Sequence, residues 1–116
     1  MSVAQVVDFR TAPAHELVPG VRMQPLFGDE AMLNMIELEP GSIVAEHSHP
    51  NEQLGLVVEG LLVLRVDGVE HRLPAGHGYQ IPGETLHAAW AEGGRCRVLD
   101  VFHPIREDYR QLVSGS

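Results

Sequence analysis

Basic side chains are scarce: eight, all of them arginine, stand against sixteen acidic residues, for a formal net charge of −8. A surface of that sign repels nucleic acid and anionic membranes, so neither is expected as a partner. An anionic small molecule would need a local arginine to overcome the field. The chain has one cysteine, Cys96, so no internal disulfide can form. The longest apolar run, Leu61 to Leu64, falls far short of the roughly 18 residues needed to span a bilayer. The opening Met1-Ser2-Val3-Ala4-Gln5 lacks a basic stretch followed by an apolar block, which together with the lone cysteine leads us to expect a cytoplasmic protein. Also missing are an internal repeat, a linker, a low-complexity segment and, before residue 104, any amphipathic helical period. What remains in 116 residues is one domain around one core.

Short strand-like runs fill that domain. They cover residues 21–27, 31–38, 42–47, 53–59, 61–66, 69–73, 79–81, 86–91 and 95–102, and turn residues close each one: Gly28-Asp29, Pro40-Gly41, Glu59-Gly60, Asp67-Gly68, Pro74-Ala75-Gly76, Pro82-Gly83 and Gly93-Gly94. Asp67-Gly68 between alternating segments is a two-residue hairpin signal. The β-branched stretch Val3 to Phe9 predicts a first edge strand within an N-terminal arm, residues 1–20. The strand-rich unit spans residues 21–103, and the tail, residues 104–116, predicts one or two helical turns over Ile105 to Leu112. Regular short strands point to an all-β sandwich or small barrel.

One stretch gathers chemistry: Gly41-Ser42-Ile43-Val44-Ala45-Glu46-His47-Ser48-His49-Pro50-Asn51-Glu52-Gln53. In an extended segment His47 and His49 share a face while Ser48 points the other way, which predicts a chelate built on a strand. A bend at Pro50-Asn51 would bring the Gln53 amide oxygen to the same centre, and His87 would complete the set. Three imidazoles and an amide suit a divalent first-row transition metal, Zn, Ni, Fe, Mn, Co or Cu, better than Ca or Mg. Spacing alone also allows a solvated His47-Ser48-His49 loop and a surface or core His87. The other histidines, at 15, 71, 77 and 103, read as solvated or structural. Glu52 should face away from the metal.

Gly41-x5-His47-x-His49-x3-Gln53-x6-Gly60 resembles the first cupin motif, and Gly76-x5-Pro82 followed by His87 resembles the second. The resemblance implies a double-stranded β-helix, a jelly-roll barrel with a metal inside one open end. Three positions depart from the pattern: Gln53 stands where most cupins have Glu, Glu84 where Gly is usual, and Ala91 where Asn is usual. Over residues 21–109, the His47-to-Gly55 stretch and the tail Leu99 to Tyr109 are similar to the KdgF-type pectin-degradation cupins. Those proteins convert free 4,5-unsaturated uronates to open-chain keto forms, and the resemblance implies an enzyme of carbohydrate metabolism acting on a small sugar acid.

Asp100 and Phe102 share a face of the last strand by the period-two rule, and Arg106 follows Pro104. Under the uronate reading Asp100 is the proton shuttle, because a Gln53 amide cannot serve, Arg106 the carboxylate clamp and Phe102 an aromatic wall. The same residues also allow an Asp100–Arg106 salt bridge that pins the tail, and core packing for Phe102. A metal-dependent oxygenase and a non-catalytic sugar-binding cupin are the competing functions. A homodimer is expected, with the arm's unpaired edge covered by a second copy.

Overall fold

The computed structural model describes residues 3–115. Among the described residues, ten strands precede one helix: β1 His15–Val18, β2 Val21–Phe27, β3 Met32–Leu38, β4 Ile43–His47, β5 Glu52–Glu59, β6 Leu61–Val66, β7 Val69–Pro74, β8 Gly78–Ile81, β9 His87–Ala91, β10 Cys96–His103 and α1 Glu107–Ser114. They form a six-stranded sheet in the order β1-β2-β3-β10-β5-β8 and a four-stranded sheet in the order β4-β9-β6-β7. Every strand pair is antiparallel. This is the expected jelly roll, closed by a short C-terminal helix.

Period-two alternation places the core. On β3 the residues Met32, Asn34, Ile36 and Leu38 are buried and those between them half-buried, and β10 repeats the pattern with Cys96, Val98, Asp100 and Phe102. From the four-stranded sheet Leu62, Leu64 and Ala91 complete the apolar interior. Asp67 and Gly68, with φ of 47° and 82°, form the expected hairpin turn, since only the primed two-residue turns match the strand twist.

The expected edge strand at Val3 to Phe9 is not formed. Residues 3–8 pair with no strand, and Val3 and Val6 are 85% and 97% exposed. β-Branched residues favour a strand only where a neighbour offers a ladder to join; here a Gln5 side-chain N–H on the Phe27 carbonyl (2.8 Å) holds the arm instead. The sheet begins at His15, inside the segment assigned to the arm.

Candidate metal centre

His47 is the last residue of β4, and its Cα pairs across the ladder with that of His87, the first residue of β9. The strand ends there, so His49 reaches the site from the loop before β5 rather than by strand alternation. That corrects the expected strand-borne chelate. The loop is held on two sides: the Asn51 side-chain N–H donates to the carbonyls of Pro104 (2.7 Å) and Ile105 (3.3 Å), and the Glu84 N–H donates to the His49 carbonyl (2.7 Å). Glu84 sits at φ 64°, a left-handed conformation that explains why glycine is usual at this point of the motif.

Candidate ligand atoms of His47, His49 and His87 lie within 4.8 Å of one another. Each ring is oriented by a backbone carbonyl two residues away: Nδ1 of His47 on Ala45 (2.8 Å), of His49 on Asn51 (3.0 Å) and of His87 on Thr85 (2.8 Å). A neutral imidazole that donates from Nδ1 presents a bare lone pair at Nε2, the tautomer a metal needs. Burial lowers the pKa of His49 to about 4, with the Arg106 charge adding to it, and burial also lowers that of His87, so both rings stay neutral at pH 7.

Gln53 joins them. Its Oε1 is 3.2 Å from Nε2 of His49. The one proton of a neutral His49 ring serves either Nδ1 facing the Asn51 carbonyl or Nε2 facing Gln53, and whichever side lacks it sets two acceptors against each other. Turning the amide round would aim its oxygen at the Asp100 carboxylate instead. A cation beside Nε2 and Oε1 removes the conflict, so the residues present fit a divalent metal.

The six-stranded sheet supplies the protic groups. Asp100 on β10 pairs with Gly55 on β5, which pairs with Tyr79 on β8, so the three lie in one row. A Cβ on Gly55 would stand 2.0 Å from Tyr79 Cζ; glycine is what lets the ring cross β5 and donate its hydroxyl to Asp100 Oδ1 at 2.5 Å. Burial pushes the Asp100 carboxyl up to about 6, against the opposing pull of hydrogen bonds from Tyr79 and Gln53. Burial and the neighbouring Asp100 push the Tyr79 phenol well above its ordinary value. Tyr79 was missed in the sequence, although a lone glycine inside a strand signals a close approach by another group.

Phe102 faces inward with its ring edge-on to His49 at 5.5 Å, and it also packs in the core at 2% exposure. Arg106 makes no ion pair with Asp100. Its Nε and Nη2 donate to Asp108 (3.2 and 2.6 Å), its Nη1 donates to the Tyr109 hydroxyl (3.0 Å), and its guanidinium lies 3.9 Å from the Tyr109 ring centre. His47, Gln53, His87, Asp100, Phe102 and Arg106 nonetheless line one cavity of about 50 Å³. That volume holds a few waters; a sugar ring requires the cavity to widen. Glu52 points outward, accepting from Gln80 at 3.0 Å.

Residues 34–102 match the Cupin_2 cupin domain family, and the chain belongs to it. Among curated proteins it is similar to the HTH-type transcriptional regulator PuuR of Escherichia coli (32% identical over 68 residues, 57% of this chain and 37% of that protein). It is also similar to the dimethylsulfoniopropionate lyase DddW of Ruegeria pomeroyi (32% over 62 residues, 53% and 41%). The chain thus spans about two fifths of the length of these relatives. Among solved structures, KdgF from Halomonas sp. superposes with a TM-score of 0.84 at 24% identity, covering 93% of this chain and 99% of that one. An RmlC-like cupin from Shewanella frigidimarina gives 0.85 at 29%, covering 92% and 96%. The KdgF likeness, at that identity, speaks for the fold alone.

Proposed function

We propose that the chain is a metal-dependent isomerase that opens 4,5-unsaturated uronates to linear keto acids in the cytoplasm, as a homodimer, with His47, His49, Gln53 and His87 holding the metal. The observation that carries the reading is the placement of a buried carboxyl with a raised pKa, Asp100, in the same cavity as His47 and His87. A bound divalent ion would polarise the substrate's hydroxyl or carboxylate oxygens and offset the negative charge that develops there. Asp100, with a pKa of about 6, takes the proton of the anomeric hydroxyl. The bond from the anomeric carbon to the ring oxygen breaks as a carbonyl forms, the freed electron pair moves through the enol ether, and the proton is returned to the alkene carbon. Atoms and charge balance without an added reactant. Tyr79 fixes Asp100 in one position, and Phe102 walls the ring. In Arg106 the fork is filled by Asp108, whose carboxylate stands where the substrate's would bind; Asp108 is exposed and free to yield.

The test follows the near-ultraviolet absorbance of a free unsaturated uronate. The metal-loaded protein should accelerate its loss, and Asp100→Asn should slow that by about 10²–10⁴-fold with metal retained. Arg106→Ala should raise KM more than it lowers kcat. A decay rate equal to the spontaneous one, with metal bound, would sink the uronate reading. The similarity to a transcriptional regulator would then favour a ligand-binding module without turnover.

A further inference from the structure

The ring opening moves two protons, and the atoms concerned are not neighbours. One proton leaves the anomeric hydroxyl and one arrives at the alkene carbon, and the anomeric and alkene carbons stand at opposite corners of the six-membered ring. A buried carboxyl clamped by a phenol has little freedom to serve both ends. The second transfer therefore calls for another protic group beside the first, one that can give a proton and get one back.

The cavity narrows the choice. Of the side chains that line it, the Gln53 amide and the Arg106 guanidinium do not give up protons near neutral pH. His47 and His87 each have Nδ1 committed to a backbone carbonyl, at 2.8 Å. Two phenols remain, Tyr79 and Tyr109. The Tyr109 hydroxyl accepts from Arg106 Nη1 at 3.0 Å and shares no hydrogen bond with Asp100 among the described residues. The Tyr79 hydroxyl lies 2.5 Å from Asp100 Oδ1, across the space that Gly55 leaves. A contact that short between phenol and carboxylate is a path for a proton in either direction. With an ordinary value of about 10, a phenol also carries its proton throughout the neutral range.

We propose that Tyr79 is a second catalytic residue: its hydroxyl delivers the proton to the alkene carbon, and Asp100 then replaces it. The inference rests on the uronate reading and adds to it the group that completes the reaction. Asp100 takes the proton of the anomeric hydroxyl, and the bond from the anomeric carbon to the ring oxygen breaks as the aldehyde forms. The electron pair left on the ring oxygen makes the keto carbonyl, while the alkene pair takes the phenol proton as a new C–H bond. The proton gained by Asp100 crosses to the phenolate oxygen. Both side chains end as they began, and no further reactant is consumed.

Turnover of a free unsaturated uronate in deuterium oxide, with metal content checked by elemental analysis, tests this role. The wild type should place one deuterium on the former alkene carbon in a single configuration, read by NMR before exchange with solvent. Tyr79→Phe keeps a ring beside Gly55 but no hydroxyl. It should slow conversion by about 10²–10⁴-fold and give both configurations, because solvent then protonates the opened enol from either face. Tyr109→Phe, whatever its rate, should keep the single configuration. A mixture from the wild type or from Tyr109→Phe, or a single configuration from Tyr79→Phe, overturns the role. Should Tyr79→Phe fall to the spontaneous rate, a hydrazine that traps the aldehyde decides. Ring opening by Asp100 should then put aldehyde ahead of loss of the double bond, and the two moving in step overturns the role. A wild-type rate equal to the spontaneous one instead overturns the uronate reading, and this role with it.

Discussion

The four-stranded and six-stranded sheets face each other across one cavity, yet they build their halves of the site by different means. On the first side, His47 and His87 at strand ends and His49 in a loop are each oriented by a carbonyl two residues away. On the second, Asp100 is oriented by Tyr79, 21 residues distant, through a gap that Gly55 leaves in the strand between them. The orientation of each imidazole is therefore local, whereas the protic half depends on three strands keeping register.

The largest effect should come from the local half. With His47→Ala and His49→Ala combined, elemental analysis should find metal falling from about one ion per chain to a small residue, because two neutral ligands vanish and no neighbouring His, Cys, Asp or Glu belongs to the cluster among the described residues. Undiminished metal would show that the imidazoles are not the ligands.

Gly55→Ala strikes the register half. The new methyl cannot coexist with the buried Tyr79 ring, so unfolding by denaturant should show a loss of about 1–3 kcal/mol or more, with the metal still bound. The same change made in a Tyr79→Ala background should cost clearly less; equal costs in both backgrounds would mean that the ring is not what the glycine accommodates.

A smaller, pH-dependent effect concerns Asp100 in metal-free protein. Burial raises its pKa from 3.8 to about 6, so the folded chain holds this proton more tightly than the unfolded one, and stability is lost as pH rises between those values. Asp100→Asn removes that loss. The variant should gain on the wild type by up to about 3 kcal/mol above pH 6 and by nothing below pH 4. Taking the variant-to-wild-type difference cancels the opposite trend from His49 and His87, whose lowered values favour the folded state as pH rises. A difference that is flat with pH would mean Asp100 is as solvated folded as unfolded.

How much was legible in the sequence follows the same division. Nine strands, the Asp67-Gly68 hairpin and the terminal helix could be read because alternation and turn chemistry are properties of adjacent residues. The histidines of the candidate cluster, His47, His49 and His87, could be picked out from the spacing of the two motifs that carry them. Val3 to Phe9 misled, since its composition favours a strand but nothing lies alongside it to pair with.

Fold class and strand boundaries were thus determined by short-range patterns that the sequence carries by itself, whereas the pairing of β4 with β9 brought His87 to His47. The tertiary structure alone decided that Tyr79 crosses Gly55 to reach Asp100, that Arg106 closes on Asp108 rather than on Asp100, and that Leu54 and Leu56 lie against Val101 and Leu99 in an outward apolar band. The Tyr79 contact and the apolar band depend on which strand lies beside which and in what register, which is set by the packing of the whole core, and the Arg106–Asp108 pair depends on how the chain turns into α1.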